Sequence, residues 1–395
     1  MYHETLQKWW GYPSFRGLQN DVIDMVLSGG NSLALMQTGA GKSLCFQVPT
    51  MTRDWLCVVV TPTLSLIKNQ VDDLKSRGID AIEISSQKTE KENRLAIHDI
   101  LYDKINFVYL SPEMLFNQEI INLFNDVKVD LLVVDEAHCA KMWNKFRSGY
   151  RKLMDGIPFP VGVKLAMTAT ADKETAHFIC NGLGIDIDMI LTDSLNREQM
   201  SVVFVEKSNK TNPIRKIAEL AGRNQGSVVV YTNTTKKARE AAEALIELGV
   251  DCAYYYGTGL KKSEKIAHQE AFLSGEKKVM IATDAFGMGI DKADIRSVVN
   301  LDMPNSIQSS WQQAGRGGRD GNPFTWVMYY HQSDVESWNY LQSQGKEQHK
   351  EDKDNLASMY ALAKSTDCIK KQVMAYFGEK IDNCGKCHNC KKRKL

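Results

Sequence analysis

The chain has 395 residues, of which 43% are hydrophobic and 25% charged, and its formal net charge is +1. This is the composition of a globular protein with room for two ordinary domains and a smaller one. No run of about 18 apolar residues occurs, which excludes a membrane span. The N-terminus also lacks the apolar core of a signal peptide, which predicts an intracellular location. The near-zero charge means that any nucleic-acid site has to be a local basic groove.

Short apolar runs alternate with helical stretches in the first half of the chain. The apolar runs are NSLALM (31–36), LCVVV (56–60), NFVYL (106–110), LLVVD (131–135) and KLAMTAT (164–170). The helical stretches between them cover residues 69–77, 89–102 and 172–183. This alternation is typical of parallel strands joined by crossover helices.

A second set of apolar runs begins after about residue 200. These runs are SVVVYT (227–232), CAYYY (252–256), VMIAT (279–283), SVVNLD (297–302) and WVMYY (326–330), with helical stretches at 236–248 and 263–273. The pattern predicts two α/β domains in tandem, joined near residues 194–201, followed by a polar, helical section. We therefore expect domains at residues 1–198, 199–333 and 334–395. The basic tail KKRKL is interpreted as a solvated end, with phosphate contact or targeting as alternatives.

The segment MQTGAGKSL (36–44) follows the first apolar run and precedes a helix, as a phosphate-binding loop does. Gly39 and Gly41 permit close approach of backbone N–H groups to phosphate. Lys42 would reach the β- and γ-phosphates, and the Ser43 hydroxyl would ligate Mg²⁺. The strict motif is not met, because a methionine stands at its first glycine position. The alternative is a glycine-rich turn with a solvated lysine.

Two acids, Asp135 at the end of the run LLVVD and Glu136 directly after it, stand at the expected carboxyl end of a strand. Asp135 would hold Mg²⁺ through water, and Glu136 is placed to orient or deprotonate an attacking water. A solvated turn is the alternative interpretation of paired acids. The phosphate loop upstream favours a nucleotide site.

An aromatic and basic loop follows these acids directly, with Trp143, Phe146 and Arg147 close to Glu136 in sequence. Nucleic-acid bases stack on aromatic rings with roughly 1–3 kcal/mol each. We interpret the loop as a sensor that reports bound single strand to the carboxylates. The alternative is that the two aromatic side chains pack beneath the loop as a small core.

Four of the nine cysteines are clustered near the C-terminus: Cys368, Cys384, Cys387 and Cys390. Their C-x15-C-x2-C-x2-C spacing suits a closed, tetrahedral Zn²⁺ site. We expect the first cysteine on a helix over residues 354–377 and the others in the turn CGKCHNC. The alternatives are an iron–sulfur cluster, free thiols, or His388 in place of one thiolate. The other five cysteines are interpreted as small buried hydrophobes in a reducing compartment.

The motifs MQTGAGKS, DEAH, TAT (168–170) and QQAGRGGRDG (312–321), in this order, resemble those of a superfamily 2 helicase. More narrowly, the chain resembles the RecQ family of DNA helicases from about residue 5 to residue 392. That resemblance is carried by GYPSFRGLQ (11–19), VVVTPTLSLIKNQV (58–71), YLSPEML (109–115), the W…FR…Y loop after DEAHC, ATDAFGMGIDKADIRSVVN (282–300) and the cysteine spacing. It implies two RecA-like parallel-sheet domains and a small helical zinc-binding domain.

The resemblance implies specific roles in nucleotide binding and coupling. The adenine would be held by Tyr12, Arg16 and Gln19, and Thr38 would belong to the phosphate loop. Nucleotide and DNA sites would be coupled by Thr168, Thr170 and Gln312. We favour Arg319 as the arginine finger that stabilises charge on the transferring phosphoryl group, with Arg316 as its phosphate-binding neighbour.

Further DNA contacts implied by the resemblance come from polar side chains in the motifs: Thr63, Ser65, Lys68, Ser111, Asn233 and Thr283. Such groups bind phosphates without reading bases, so binding should be sequence-independent and salt-sensitive. Taken singly, each is more often an N-cap or turn residue. The aromatic loop departs from the family pattern, because only Asn144 and Lys145 separate Trp143 from Phe146 and the usual histidine is missing.

The resemblance therefore implies an ATP- and Mg²⁺-dependent DNA helicase of repair or recombination, moving 3′→5′ on single strands of tailed or forked duplexes. The alternatives are a DNA-stimulated translocase or remodeller with weak unwinding, a nucleotide-switched binding module, and an RNA helicase. Many members of the family continue into a winged-helix domain and a helical domain, which KKRKL cannot hold; a naturally short and a truncated chain both fit. A cytoplasmic or nucleoid location is expected, or a nuclear one in a eukaryote. Protein partners are left open, and a monomer is compatible.

Overall fold

The structure is a computed structural model that describes residues 2–142, 148–223, 226–257, 259–284, 286, 292–343 and 350–392. The chain divides into two compact units, Met1–Leu195 and Asn196–Leu395. Each unit is built on one parallel β-sheet. The two parallel-sheet α/β domains expected from the alternating pattern are thereby confirmed.

The described part of the first unit contains seven strands. They are β1 (Ser32–Leu35), β2 (Cys57–Val60), β3 (Ala81–Ile84), β4 (Phe107–Leu110), β5 (Val129–Val134), β6 (Val161–Thr168) and β7 (Ile190–Thr192). Their order in the sheet is β3-β4-β2-β5-β6-β1-β7, and all neighbours are parallel. The register places Leu35 beside Thr168 and Val60 beside Val134. Segments that follow these strands therefore meet at one edge of the sheet.

Nine α-helices belong to the described part of the first unit, with two short 3-10 helices at Met114–Phe116 and Ile187–Met189. They are α1 (Tyr2–Trp10), α2 (Gln19–Leu27), α3 (Leu44–Arg53), α4 (Leu64–Ser76), α5 (Glu90–Tyr102), α6 (Gln118–Asp126), α7 (Cys139–Met142), α8 (Ser148–Asp155) and α9 (Lys173–Leu183). Helix α5 begins with a capping box between Thr89 and Glu92, and α9 ends at Gly184 with φ 63°. These local signals explain why the sequence locates these helices well.

The core of the first unit lies against the sheet. Strands β1, β2 and β4 are buried at every position, as expected for a parallel sheet covered on both faces. On α4, the residues Ile67, Val71 and Leu74 recur at helical spacing and are buried in this core. The apolar stripe of α4 therefore holds the segment after β2 against the sheet.

Six strands lie in the described ranges of the second unit. They are β8 (Met200–Glu206), β9 (Ser227–Tyr231), β10 (Cys252–Tyr255), β11 (Val279–Ala282), β12 (Ile295–Asn300) and β13 (Phe324–Tyr330). Their order is β10-β11-β9-β12-β13-β8, again with all neighbours parallel. Val228, Val230 and Ile281 form a core with Ala238 and Leu245 of the following helix.

Eight helices belong to the described part of the second unit. They are α10 (Pro213–Gly222), α11 (Thr235–Glu247), α12 (Lys262–Ser274), α13 (Ile307–Ala314), α14 (Gln332–Ser343), α15 (Lys350–Lys364), α16 (Ile369–Tyr376) and α17 (His388–Lys392). No helix in the described ranges of either unit is both long and apolar enough to cross a membrane.

The single helix predicted over residues 354–377 is wrong. Helix α15 ends at Lys364 and α16 begins at Ile369, with Cys368 at its N-cap position. The break is held by hydrogen bonds: the Asn389 side chain donates to the carbonyls of Ser365 at 2.8 Å and Asp367 at 2.7 Å. These tertiary contacts replace the helical bonds, and a pattern of apolar residues does not reveal them.

Candidate functional site

The phosphate loop (residues 36–44) joins β1 to α3 with two glycines in left-handed backbone conformations. Gly39 has φ 86° and Gly41 has φ 71°, values that strain other residues. A Cβ on Gly41 would lie 2.6 Å from the side-chain nitrogen of Gln19. That nitrogen donates to the carbonyls of Ala40 at 2.8 Å and Gly41 at 3.2 Å. Gln19 therefore holds the loop in shape, and Gly41 makes room for it.

Three residues were predicted to hold the adenine. Tyr12 and Arg16 are exposed, and Gln19 is buried. The side-chain Oε1 atom of Gln19 accepts from the backbone N–H of Arg16 at 2.9 Å. The side-chain amide of Gln19 therefore joins the GYPSFRGLQ segment to the phosphate loop. Thr38 lies half-buried in the turn of that loop. The structure thus adds a task for Gln19, while contact with the base stays a prediction.

The two acids and the lysine of the phosphate loop lie together at the carboxyl edge of the first sheet. The Lys42 Nζ atom is 3.6 Å from Oε1 of Glu136. Asp135 continues β5, since its N–H donates to Val60 at 2.9 Å, and its carboxylate accepts from the N–H of Glu136 at 2.9 Å. Burial, and then the charge of Glu136, raise the pKa of Asp135; Lys42 and Gln70 offset this only in part. Two carboxylates thus face a single lysine at this edge, so the two acids when ionised exceed the charge of Lys42.

That charge fits a divalent cation. Asp135 is buried, and carboxylate and hydroxyl oxygens are the ligands that Mg²⁺ takes in nucleotide sites. Ser43 precedes α3 without capping it through its side chain. The predicted ligand pair Ser43 and Asp135 is thus chemically suitable.

Glu136 has an unusual backbone. Its φ is 49°, and only Asp54 shares a positive φ among the described non-glycine residues. A side chain in this region costs roughly 1–2 kcal/mol. Strain of this kind is concentrated at functional sites, because the surrounding structure has to impose it. The conformation therefore supports a functional role for the Glu136 carboxylate.

His138 is a site residue that the sequence interpretation missed. It is buried, and its Nδ1 atom is 2.6 Å from the Thr168 hydroxyl and 3.4 Å from Oε2 of Glu136. The N–H of Thr170 donates to the same hydroxyl at 3.4 Å. His138 therefore connects the acid pair to the TAT segment. The histidine of DEAH was the available signal, and only the contact with β6 gives it a task.

The proposed DNA-contact residues of the first unit follow β2 and β4. The Thr63 hydroxyl accepts from the N–H of Leu66 at 3.4 Å and thereby caps α4. Ser111 accepts from the N–H of Met114 at 3.4 Å, while Ser65 and Lys68 are exposed. Thr63 and Ser111 thus have local structural tasks at the same edge as the acids. The aromatic loop residues Trp143, Phe146 and Arg147 lie outside the described residues.

In the second unit, Asn233 and Thr283 follow β9 and β11. The Asn233 side chain donates to the carbonyl of Met303 at 3.0 Å, and its backbone N–H donates to Asp302 at 3.4 Å. Thr283 is half-buried. Asn233 is thus rigidly held at the carboxyl edge of the second sheet.

The arginine loop (residues 315–321) follows α13 and contains Arg316 and Arg319, both half-buried; Gln312 lies in α13 and is half-buried too. A Cβ on Gly318, where φ is 59°, would lie 2.4 Å from the Phe324 ring. The loop thus packs directly on that ring, and only glycine permits it.

A series of hydrogen-bonded polar side chains, which the sequence interpretation missed, lies beneath this loop. The Gln313 side chain donates to Asp284 and accepts from Asn300. Asn300 in turn accepts from the indole of Trp326 at 2.8 Å. This hydrogen-bonded series joins the segment after β11 to α13, the helix that precedes the arginine loop. The adjacent glutamines of the motif gave no sign of which one points inward.

The four clustered cysteines have sulfur atoms that all lie within 4.8 Å of one another. The sulfurs of Cys368 and Cys387 are 3.9 Å apart, and a tetrahedral Zn²⁺ with Zn–S bonds of 2.3 Å requires about 3.8 Å. The cluster therefore fits a four-thiolate metal site.

His388 has another partner in the structure. Its Nδ1 atom accepts from the backbone N–H of Phe204 at 3.2 Å. The imidazole is thus directed at β8, which disfavours the alternative that it replaces a thiolate. We call α17 and the turn before it (residues 384–392) the cysteine knuckle. It carries three of the four clustered cysteines, and Cys368 at the start of α16 is the fourth.

Three family models match the chain in succession. Residues 16–178 match the DEAD/DEAH box helicase family, residues 209–321 the helicase conserved C-terminal domain, and residues 332–391 the RecQ zinc-binding domain. A solved DEAD-box helicase, Mss116 bound to single-stranded RNA and UDP-BeF, has a similar fold at TM-score 0.69 and 17% identity, over 95% of this chain and 88% of that one.

Two curated relatives come from Bacillus subtilis (strain 168). The ATP-dependent DNA helicase RecQ is 34% identical over 98% of this chain and 66% of its own length. The probable ATP-dependent DNA helicase RecS is 35% identical over 84% of this chain and 67% of its own length. The chain thus spans just under two thirds of the RecQ protein.

The two parallel sheets, the phosphate loop, the DEAH segment and the arginine loop define a superfamily 2 helicase core. Within this class, the chain belongs to the RecQ family of DNA helicases. The resemblance expected from the sequence is confirmed.

Proposed function

We propose that this chain is an ATP-hydrolysing DNA helicase motor that translocates 3′→5′ on single-stranded DNA and separates duplexes. The observation that carries the proposal is the group of Lys42, Asp135 and Glu136 at one sheet edge, with Lys42 3.6 Å from Glu136. A phosphate-binding lysine beside paired acids is what nucleotide hydrolysis requires. Membership of the RecQ family supports DNA as the track.

The chemistry follows from these positions. Lys42 binds the β- and γ-phosphates, and Ser43 and Asp135 hold Mg²⁺, which when bound neutralises phosphate charge. Glu136 orients the attacking water and accepts its proton. Arg319, with Arg316 beside it, stabilises the charge that develops on the transferring phosphoryl group. Tyr12, Arg16 and Gln19 hold the adenine, with Thr38, Gly39 and Gly41 shaping the phosphate loop.

DNA binding is proposed to act on this site by two routes. Thr168, Thr170 and Gln312 couple the nucleotide to the DNA contacts, and the His138–Thr168 bond supports the first of these assignments. The aromatic loop at 143–147 senses bases by stacking. Phosphates are held by the polar set Thr63, Ser65, Lys68, Ser111, Asn233 and Thr283. Single-stranded, tailed and forked DNA are the expected substrates, in the compartment that holds the DNA.

The cysteine cluster is proposed to hold one structural Zn²⁺. Four sulfurs leave no open position, so the metal stabilises the second unit and takes no part in hydrolysis. Metal analysis of purified protein tests this assignment: one zinc per chain supports it, and iron with acid-labile sulfide contradicts it.

Strand separation on a tailed duplex tests the whole proposal. A duplex with a 3′ single-stranded tail is compared with the same duplex carrying a 5′ tail, with ATP and Mg²⁺. Unwinding only with the 3′ tail is expected. Lys42→Ala serves as the control for contaminating activity, because it removes the phosphate contact without touching the DNA residues.

Other outcomes distinguish the alternatives. Hydrolysis stimulated by oligo(dT) without unwinding on either tail would indicate a translocase. Stimulation by oligo(rA) but not oligo(dA) would indicate an RNA helicase, and binding without turnover a nucleotide-switched module.

A further inference from the structure

Arg197, outside every motif considered so far, holds the backbone of the arginine loop. Its Nη1 atom donates to the carbonyl of Gly315 at 3.0 Å and to that of Gly317 at 2.7 Å. These two carbonyls flank Arg316 in sequence. Arg197 is only 5% exposed. One buried guanidinium therefore constrains the loop on both sides of Arg316.

The same loop is confined from a second direction by Phe324. A Cβ on Gly317 would lie 2.2 Å from Cδ2 of this ring, so the loop backbone is in direct contact with it. The Arg197 guanidinium is 5.8 Å from the ring centroid. The N–H of Gly318 also donates to Ile295 at 2.9 Å. Backbone bonds and ring contact together leave the loop little freedom.

The position of Arg197 is electrostatically unfavourable. Burial, and then the charges of Arg319 and Arg316, lower the pKa of Arg197 to about 10. A neutral side chain would fill this space without bringing a third guanidinium close to the other two. What a neutral side chain cannot do is donate strongly to two carbonyls at once. The cost therefore indicates a task in shaping the loop.

The backbone of the Arg197 segment is attached to the cysteine knuckle. Within the knuckle, the Nζ atom of Lys386 donates to the carbonyl of Glu198 at 2.6 Å. In α16, which begins directly after Cys368, the Nζ atom of Lys370 donates to the carbonyl of Arg197 at 2.5 Å, and Lys370 is 1% exposed. Farther along, Val202 forms a parallel bridge with Cys387. The knuckle and the arginine loop thus contact the same segment, the first through its backbone and the second through its side chain.

We propose that Arg197 is a positioning residue that fixes the loop carrying Arg316 and Arg319, the arginines proposed to act on the transferring phosphate, and that Lys370 ties the Arg197 backbone to α16 beside Cys368. The proposal rests on the function proposed above, since the direction of these arginines matters for catalysis only if the chain hydrolyses nucleotide. It makes the knuckle a support of the ATPase site as well as a structural element.

Steady-state ATP hydrolysis with saturating oligo(dT) tests the proposal in the full chain. Arg197→Met should lower kcat about 10²-fold, the loss expected when a catalytic group is displaced by about 1 Å, while KM for ATP and affinity for oligo(dT) change less than about twofold. Arg197→Lys, which keeps one charged donor, should recover part of the rate. Lys370→Met should lower kcat in the same sense with the zinc content unchanged. Arg215→Met, an exposed arginine on α10, is the matched control.

Hydrogen exchange gives a readout that needs no activity. In Arg197→Met, peptides covering residues 312–321 should exchange faster than in the unaltered protein, and peptides of the first unit should not. If the unaltered protein hydrolyses no ATP, the proposed function fails, and exchange still decides whether Arg197 holds the loop. Unchanged exchange and unchanged kcat in Arg197→Met would overturn the proposal. So would a loss of kcat that follows a proportional loss of zinc or of folded protein.

Discussion

At the scale of single residues, the site depends on side chains whose surroundings set their charge. Lys42 is mostly buried and its charge faces Glu136. Asp135 and Glu136 face only one lysine, and burial with the charge of Glu136 raises the pKa of Asp135, so a divalent cation would stabilise both carboxylates in their charged form. The phosphate loop and the DEAH segment work together for this electrostatic reason.

Two substitutions separate nucleotide binding from hydrolysis. Lys42→Ala should abolish turnover and weaken ATP binding, because the phosphate contact is lost. Glu136→Gln should keep ATP affinity but lower kcat by about 10²–10⁴-fold, since the general base is removed. Fluorescent-nucleotide titration and a phosphate-release assay measure the two quantities. Equal turnover in Glu136→Gln would rule out the assigned base.

A pH-dependent contribution to stability is expected from Asp320. Burial would raise its pKa, but hydrogen bonds from Arg296 and Asn322 outweigh burial and lower it to about 2. Since an unfolded aspartate has a pKa of about 3.9, the carboxylate stabilises the fold above about pH 4, and this contribution is lost as the pH falls toward 2. Because Asp320 is partly exposed and solvent screens its ion pair, Asp320→Asn should cost less than the full shift implies, roughly 1 kcal/mol at pH 7.

Urea unfolding between pH 3 and 7 measures this difference. The gap between unaltered protein and Asp320→Asn should narrow toward pH 3. Asp251→Asn is the matched control, because Asp251 pairs with Lys277 at 3.1 Å on a 74% exposed side chain, where an ion pair contributes little. A gap independent of pH would show that Asp320 acts through packing alone.

At the scale of elements, strands and most helices could be predicted because apolar runs and capping residues are local signals. All ten apolar runs used as strand predictions contain strands of the two sheets. Strands β3, β7 and β8 were missed. Their burial is partial, so their residues alternate in polarity or are too few to stand out. Only pairing with β4, β1 and β13 makes them strands.

The candidate site was predictable to the extent that motifs name its residues. Lys42, Asp135 and Glu136 come together at the edge expected from strand direction. The partners His138 and Arg197 could not be assigned tasks, because each acts through a contact distant in sequence. The break before Cys368 was missed for the same reason.

The cysteine knuckle should act as one metal-dependent element. Cys387→Ser should remove the bound zinc and lower the thermal midpoint, because metal binding contributes folding free energy. The knuckle contacts β8, so the effect should extend beyond α15–α17 to the β-sheet of the second unit. Zinc content and thermal unfolding are the measurements. Cys252→Ser, a buried cysteine of the same unit outside the cluster, should keep its zinc.

The aromatic loop offers a separate test. Trp143→Ala should leave basal ATP hydrolysis intact and blunt its stimulation by oligo(dT), because a stacking contact is lost. Tyr340→Ala, which removes an aromatic ring that is 66% exposed on α14, is the control. Full stimulation in Trp143→Ala would eliminate the sensor interpretation.

At the scale of the whole molecule, the near-zero net charge limits how DNA can be held. The proposed contacts are mainly hydroxyl and amide groups, with Lys68 and Arg147 as the cations. Only cationic side chains displace the counterions that surround DNA phosphates. Two such side chains predict a slope of roughly −1.4 for log affinity against log salt on single strands. Affinity should not depend on base sequence.

Fluorescence anisotropy with labelled oligo(dT) and a mixed-sequence strand, from 50 to 200 mM salt, tests this expectation. A much steeper slope would reveal a basic surface beyond the proposed residues. A strong preference between the two strands would contradict recognition through phosphates.

The left-handed backbone of Glu136 has a consequence for how this protein can change. Glycine would relieve the conformational penalty at that position, so Glu136→Gly should make the chain more robust and inactive at once. A laboratory selection for heat resistance alone would therefore enrich the loss of this carboxylate. Selection for ATP hydrolysis has to retain a glutamate whose backbone conformation destabilises the fold. Thermal stability and turnover therefore oppose each other at this one position.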